Sequence, residues 1–190
     1  MRHPAFCLAL AVFAWTAAAG APLPHLTRRH LGRDVVIQGY PCARGYAWFY
    51  DSGSLNRCFA SRSTSFGEAQ IPRGSVIQLW PDGATQFAML AHRATVAGYY
   101  VSGGSFLGPA EGAITSFYRS GKLHTAYLVH NQTIQGVPCR GSQWGLFTDS
   151  INGGNYIVLY PDGRLRACKL TRDFGGQRAG HRLTLPDANR

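Results

Sequence analysis

The chain has 190 residues, of which 45% are hydrophobic, 12% aromatic and 15% charged, and its formal net charge is +10. This apolar content is too high for a disordered chain and is sufficient for one domain of ordinary size or a short repeat array. Glycine and proline follow no three-residue period, which excludes a collagen, and no apolar run reaches the roughly 18 residues that a membrane-spanning helix needs.

Residues 1–19 have the pattern of a secretory signal peptide. Arg2 gives a basic start, an apolar run extends to Trp15, and small residues precede a cleavage site after Ala19. We therefore expect export to the periplasm or the extracellular space. Of the five cysteines, Cys7 is removed with the leader, and an even number remains, which is typical of disulfides.

Four segments share a pattern that predicts a β-hairpin. Each has an aromatic residue, a polar or proline-containing turn, and a glycine that accepts the positive φ closing a bulged hairpin. The segments are Phe49–Gly53, Leu79–Gly83, Phe117–Gly121 and Leu159–Gly163. An apolar residue followed eight positions later by glycine precedes each of them, at Leu31 and Gly39, Phe59 and Gly67, Leu90 and Gly98, and Leu128 and Gly136.

The repeated pattern predicts an all-β fold, a meandering antiparallel sheet built from about four β-hairpin repeats. The repeat domain is expected over 31–175, with copies near 31–58, 59–89, 90–127 and 128–169. Residues 20–30 before it are predicted to be a mobile linker, and residues 176–190 after it a cap and tail.

Side chains alternate along the strand before each turn, and one face of each strand is apolar. Ala47 and Phe49 lie on this face in the first copy, and we expect it to form the core. After each turn, the fifth and seventh residues beyond the glycine are also apolar and are expected in the core. The opposite face carries a large share of the aromatic residues.

The cysteines predict two disulfides. Cys58 and Cys168 stand at the fifth position after the turn glycine of the first and fourth copies, and the same copies contain Cys42 and Cys139, each after a proline. The other two copies have neither cysteine. Because cysteines that appear together within a repeat are partners, we predict Cys42–Cys58 and Cys139–Cys168. Four free buried thiols are the weaker alternative in an exported chain.

The sequence aromatic-x-x-Gly-x-Leu recurs at Tyr50–Leu55, Tyr118–Leu123 and Tyr160–Leu165. This pattern resembles the hairpin repeats of MORN-type proteins and of an antitoxin-like MORN variant, and it covers about residues 31–175. Trp80–Thr85 departs from it, since Thr85 stands where leucine is expected. The resemblance implies a meandering antiparallel sheet used as a binding or scaffolding surface, usually without catalysis, and it carries no catalytic residues.

Two sets of residues are candidates for ligand binding. The repeat aromatics are suited to stacking on sugar rings or bases, or to docking a protein, unless a second packed layer buries them. They are Trp48, Tyr50, Trp80, Tyr118 and Tyr160. Basic residues recur near the start of successive copies and would form a stripe that attracts anions. They are Arg33, Arg62, Arg93, His130 and Arg172. We expect the partner to be an anionic envelope polymer or another protein.

The chain has no nucleophile elbow, zinc-binding helix, phosphate loop or dinucleotide fingerprint. We therefore expect a non-enzymatic binding protein or envelope-associated scaffold, without a catalytic residue, cofactor or metal. One alternative is a small secreted hydrolase with a site in the inserted loops Val101–Glu111 and Asp149–Asn155, near Glu111 and Asp149. Another is an exported immunity protein that blocks a toxin.

Overall fold

A computed structural model describes residues 25–67, 69–104, 114–142 and 155–187. Within these ranges the regular elements are all β-strands. In chain order they are β1 (Leu26–Leu31), β2 (Val35–Ile37), β3 (Tyr40–Cys42), β4 (Gly45–Tyr50), β5 (Leu55–Phe59), β6 (Thr64–Phe66), β7 (Ala69–Ile71), β8 (Val76–Leu79), β9 (Thr85–Met89), β10 (Ala94–Val96), β11 (Tyr99–Val101), β12 (Ile114–Phe117), β13 (Leu123–Tyr127), β14 (Gln132–Ile134), β15 (Val137–Cys139), β16 (Tyr156–Leu159), β17 (Leu165–Lys169) and β18 (Arg182–Thr184).

Ten of the described strands form one long sheet in the order β1-β4-β5-β8-β9-β12-β13-β16-β17-β18. All neighbours in this sheet run antiparallel. The predicted all-β, meandering antiparallel sheet is therefore confirmed. The described part of the chain contains no helix long and apolar enough to cross a membrane.

A bulged turn closes each of the hairpins β4–β5, β8–β9, β12–β13 and β16–β17. The turn glycines have the positive φ that the sequence predicts, with 83° at Gly53, 85° at Gly83, 81° at Gly121 and 88° at Gly163. In two turns an aspartate carboxylate accepts a hydrogen bond from the backbone N–H two residues later, at 3.1 Å from Asp82 to Ala84 and 2.9 Å from Asp162 to Arg164.

Short hairpins form a second layer, which no pattern in the sequence predicted. They are β2–β3, β6–β7, β10–β11 and β14–β15, and β6, β7, β10 and β11 join in a four-stranded sheet. At the tips of three of them two successive residues have positive φ, Gln38 and Gly39 in the first, Ala97 and Gly98 in the third, Gln135 and Gly136 in the fourth. This is the backbone of a two-residue type I′ hairpin.

The core lies between the long sheet and the short hairpins. Its cluster includes the predicted apolar positions of the strands before the turns, Ala47, Phe49, Ile77, Leu79, Phe117, Ile157 and Leu159. It also includes the fifth and seventh positions after each turn glycine, Cys58, Ala60, Ala88, Leu90, Ala126, Leu128, Cys168 and Leu170. The face that the sequence assigned to the core is therefore confirmed.

Both predicted disulfides are present. Cys42 of β3 is bonded to Cys58 of β5, and Cys139 of β15 to Cys168 of β17, with a Cα–Cα distance of 5.6 Å in each pair. Each disulfide thus joins a short hairpin to the long sheet. The two layers are covalently linked at the first and the last of the short hairpins.

Residues 20–30 were predicted to be a mobile linker, whereas strand β1 begins at Leu26 and pairs with β4 along its whole length. Cation–π contacts add to this backbone pairing, since the guanidinium groups of Arg28 and Arg29 lie 4.4 Å from the Tyr46 ring centre and 4.7 Å from that of Phe49. The region predicted as cap and tail contains β18, which pairs with β17 and extends the sheet.

Candidate functional site

The face of the long sheet turned away from the short hairpins carries partly exposed side chains, and we call it the open face. Cross-strand pairing places its residues in rows that run across successive hairpins. One row follows the pairs Arg28–Trp48, Trp48–Arg57, Arg57–Gln78, Gln78–Phe87, Phe87–Ser116, Ser116–Thr125 and Thr125–Val158. Aromatic and basic side chains thus alternate at the β1 end of this row.

A second row is apolar in its middle. Phe59 pairs with Val76, Val76 with Met89, and Met89 with Ile114. Phe59 is 38% exposed and Ile114 40% exposed, whereas Val76 between them is buried. Farther along the sheet, the open face carries the cross-strand pairs Tyr127–Tyr156 and Lys169–Arg182.

Arginines lie over aromatic rings at both ends of the open face. Near β4, the guanidinium carbon of Arg57 is 4.4 Å from the ring centre of Trp48. Near β16, that of Arg182 is 4.0 Å from the ring centre of Tyr156. A guanidinium stacked in this way uses its flat face. Nη1 of Arg182 also donates to the backbone oxygen of Tyr156 at 3.4 Å, and the other N–H groups of this guanidinium remain suited to a carboxylate or phosphate.

The strands of the long sheet contain no aspartate or glutamate within the described ranges. Carboxylates lie in the hairpin turns, where Asp82 pairs with Arg119 and Asp162 with Arg164, and just after β18, where Asp187 also pairs with Arg164. The pKa of Asp162 is lowered because it accepts hydrogen bonds from the backbone and the side chain of Arg164. The open face therefore carries positive charge that no carboxylate within its strands neutralises.

His124 of β13 lies on the open face, where its ring centre is 4.5 Å from that of Tyr118. Burial lowers the pKa of His124, and the positive charge of Arg166 lowers it further. Both effects favour the neutral form of the imidazole.

The predicted ligand-binding aromatics differ in their accessibility. Trp48 and Trp80 are partly exposed, whereas Tyr50 is only 8% exposed. The hydroxyls of Tyr118 and Tyr160 donate to the backbone oxygens of Leu159 and Leu185, at 2.7 and 2.8 Å. The two tryptophans are therefore the most accessible of these rings, although Arg57 lies over Trp48 and Arg119 lies 5.0 Å from the ring centre of Trp80. Tyr50 is packed into the sheet.

The predicted basic stripe lies elsewhere. Arg62 and Arg93 are exposed in the bends that connect the long sheet to β6 and β10, away from the hairpin turns. Arg62 is the second residue after the core residue Ala60, whereas Arg93 is the third residue after the core residue Leu90. The residue equivalent to Arg62 is therefore His92, and Arg93 is equivalent to Ser63. The aromatic candidates therefore lie on the open face, and the basic candidates Arg62 and Arg93 lie in bends at one end of the strands.

Sequence reasoning missed Arg57, Phe59, Tyr156 and Arg182 as parts of the open face. A signal for the first two was present, because they stand at the fourth and sixth positions after Gly53 and alternate with the predicted core positions. Arg182 had no such signal, since strand β18 follows a segment without the repeat pattern.

The acids considered for a hydrolase, Glu111 and Asp149, lie outside the described residues. Within the described ranges no group of three or more histidine, cysteine or acidic side chains is placed to hold a metal ion. No protein family matches the chain, and no curated protein or solved structure matches it either. The resemblance to MORN-type repeats stays a prediction.

Proposed function

We propose that this is an exported, non-enzymatic binding protein of the cell envelope whose open face binds an anionic polysaccharide. The observation that carries the proposal is the pairing of arginines with partly exposed rings on strands that contain no carboxylate. Rings stack on the faces of sugars, and guanidinium groups bind their carboxylates or phosphates bidentately. The two disulfides support an oxidising compartment.

The length of the open face supports a polymer as the ligand. Six strand spacings separate β4, which carries Tyr46 and Trp48, from β16, which carries Tyr156. Because adjacent strands lie about 4.8 Å apart, the two groups of arginine and aromatic side chains are about 29 Å apart. An extended oligosaccharide reaches both groups at once, and a single sugar reaches only one. The affinity should therefore rise with chain length until the ligand spans this distance.

The test is a calorimetric titration of the mature, oxidised protein with polygalacturonate at low and high salt. Neutral dextran and double-stranded DNA serve as the comparison polymers. We expect polygalacturonate to bind and dextran to bind much more weakly, and high salt should weaken the binding because it screens charges on an exposed face. Tighter binding of DNA than of polygalacturonate would assign the face to nucleic acid and overturn the proposal.

Two double variants distinguish the open face from the basic stripe in the bends. R28A/R182A removes an arginine from each end of the open face, and R62A/R93A removes the same charge from the bends. We expect the first to weaken polygalacturonate binding at least tenfold and the second less than twofold. A larger loss from R62A/R93A would place the binding surface on the stripe instead.

A further inference from the structure

A cleft opens in the short-hairpin layer where strands β7 and β10 separate. The two strands pair at Ala69 and Val96. An antiparallel ladder continued from this pair would join Gln70 to Thr95, but that pair is not formed. Pro72 follows β7 and has no backbone N–H, so it cannot extend the ladder either. The two strands therefore separate beyond Ala69 and Val96, and we call the space between them the β7–β10 cleft.

A cavity of about 300 Å³ lies in the β7–β10 cleft. This volume is at the lower end of the range for pockets that take small molecules, about 300–1,000 Å³. Both polar and apolar residues line the cavity, among them Ser63, Gln70, His92, Thr95, Ile71 and Pro72. The four polar residues are exposed, and the two apolar ones are buried. The cavity therefore offers hydroxyl, amide and imidazole groups beside an apolar wall.

The backbone N–H of Thr95 faces this cavity. Ala97 and Gly98 form the two-residue turn of the hairpin β10–β11, so the flanking residues Val96 and Tyr99 bond to each other. N–H groups alternate in direction along an antiparallel strand, so that of Thr95 points away from β11 and toward β7. Because the ladder between β7 and β10 stops at Val96, this donor is directed into the cleft.

Three exposed arginines surround the cleft. They are Arg62, Arg73 and Arg93, and each is a chain neighbour of a residue that lines the cavity. The backbone N–H of Arg73 donates to the hydroxyl oxygen of Ser63 at 3.4 Å, which places the connections β5–β6 and β7–β8 side by side. Arg93 belongs to the connection β9–β10 on the other side of the cavity. Three positive charges around one cavity favour an anionic ligand.

The arginines at the cleft outnumber the carboxylates that could reach them. None of the six acidic residues that the structure describes lies in the three connections, and these residues are Asp34, Asp51, Asp82, Asp162, Asp173 and Asp187. The chain has three other acids. Glu68 is separated from all three connections by a strand, and Glu111 and Asp149 together could neutralise only two of the three guanidinium groups. A positive charge therefore remains at the cleft.

We propose that the β7–β10 cleft binds a sugar phosphate. A phosphate monoester has three terminal oxygens, which accept from guanidinium groups on different sides and from the N–H of Thr95. A carboxylate has only two oxygens, and they lie in one plane. The sugar hydroxyls bond to Ser63 and Gln70, and the ring packs against Ile71 and Pro72. The cleft belongs to the short-hairpin layer and shares no residue with the open face, so this inference does not depend on the proposed polysaccharide binding.

The test follows the backbone amide signals of the ¹⁵N-labelled, oxidised protein by NMR during a titration with glucose 6-phosphate. Inorganic phosphate, glucose and glucuronate are the comparison probes. We expect glucose 6-phosphate to shift the Thr95 signal to saturation and glucose to leave it in place. Inorganic phosphate and glucuronate should bind at least tenfold more weakly, because the first lacks the sugar and the second lacks the phosphate. The proposal is overturned if glucose 6-phosphate does not shift Thr95 or if either of these two probes binds as tightly.

A soluble lipid distinguishes a sugar phosphate from a membrane headgroup. Dihexanoyl phosphatidate carries the same phosphate monoester but no sugar, and we expect it to shift the Thr95 signal at least tenfold more weakly than glucose 6-phosphate. Tighter binding of this lipid would assign the cleft to a membrane lipid and overturn the proposal.

Matched variants test the contribution of the arginines. R62A/R93A removes two guanidinium groups from the cleft, and R33A/R172A removes the same charge from the bends after β1 and β17. We expect R62A/R93A to weaken the binding of glucose 6-phosphate at least tenfold and R33A/R172A less than twofold. Equal losses in the two variants would show that only the net charge of the protein matters, which contradicts a site at the cleft.

Discussion

The hydroxyl of Tyr50 donates a hydrogen bond to the backbone carbonyl oxygen of Leu79, 2.7 Å away, and so joins two successive hairpins of the long sheet. Tyr118 makes the equivalent bond to Leu159, and Tyr160 bonds to Leu185 beyond the last hairpin. These tyrosines were predicted as ligand-binding rings from their repeated position. Their hydroxyls contribute to the stability of the sheet whether or not their ring faces bind a ligand.

Replacing Tyr50 with phenylalanine should lower the free energy of unfolding by about 1–2 kcal/mol, because the substitution leaves a buried carbonyl without its donor. Urea denaturation measures the loss. Tyr46→Phe is the control, since Tyr46 is 48% exposed and its replacement should change stability by less than about 0.5 kcal/mol. Equal effects of the two substitutions would show that the hydroxyl of Tyr50 contributes nothing.

Removing either disulfide should destabilise the protein substantially. The cross-linked residues are 16 positions apart in Cys42–Cys58 and 29 apart in Cys139–Cys168. The chain-entropy relation gives about 3 kcal/mol for the shorter loop and about 0.5 kcal/mol more for the longer. Urea denaturation of C42A/C58A and C139A/C168A tests both values. A smaller loss for C139A/C168A than for C42A/C58A would contradict the entropic explanation.

The stability of the protein should decrease as the pH falls below about 6.5. Burial and the charge of Arg166 lower the pKa of His124 from its usual 6.5 in the folded state. At pH values between the pKa of His124 in the folded chain and its pKa in the unfolded chain, the unfolded chain binds more protons than the folded chain. The free energy of unfolding therefore decreases as the pH decreases through this range. Denaturation at pH 7 and pH 5 measures the decrease.

His124→Gln should remove this part of the pH dependence, and His92→Gln, at an exposed bend, is the matched control. NMR titration of the His124 ring gives the folded pKa directly. A value at or above the usual 6.5 would contradict the proposed effect of burial.

Gly141→Ala should destabilise the protein by about 2 kcal/mol or more. A methyl group at this position would lie 2.2 Å from the backbone carbonyl carbon and oxygen of His130, and backbone cannot move aside as a side chain can. Gly32→Ala is the control, because a methyl group there has no atom within 4 Å. Thermal unfolding of both variants tests the difference, and a stable Gly141→Ala protein would show that the backbone yields at this contact.

The faces of the long sheet and the disulfides were predictable because each rests on a signal that recurs. The alternation around Phe49 and Leu79 has a period of two, so it assigns the core without knowledge of the topology. Cys42 and Cys58 share their positions with Cys139 and Cys168, and that correspondence selects the pairing. The positive φ of the turn glycines was predictable too, because it depends only on local backbone geometry.

The short hairpins were not predictable in the same way. Strands of three residues, such as Val35–Ile37, are too short to show an alternating pattern, and only the glycine at each tip recurs. Strand β1 reads Leu-Thr-Arg-Arg-His-Leu and lacks alternation, because its arginines cover aromatic rings at the sheet edge.

The placement of the two disulfides affects how such an elongated molecule opens. Linear arrays of similar units ordinarily fray from their ends, where a unit has a neighbour on one side only. Here the hairpins β4–β5 and β16–β17 near the two ends carry the cross-links, and β8–β9 and β12–β13 between them carry none. Among the four hairpins of the long sheet, local opening should therefore begin in β8–β9 and β12–β13, whose amides should exchange hydrogen faster than those of β4–β5 and β16–β17.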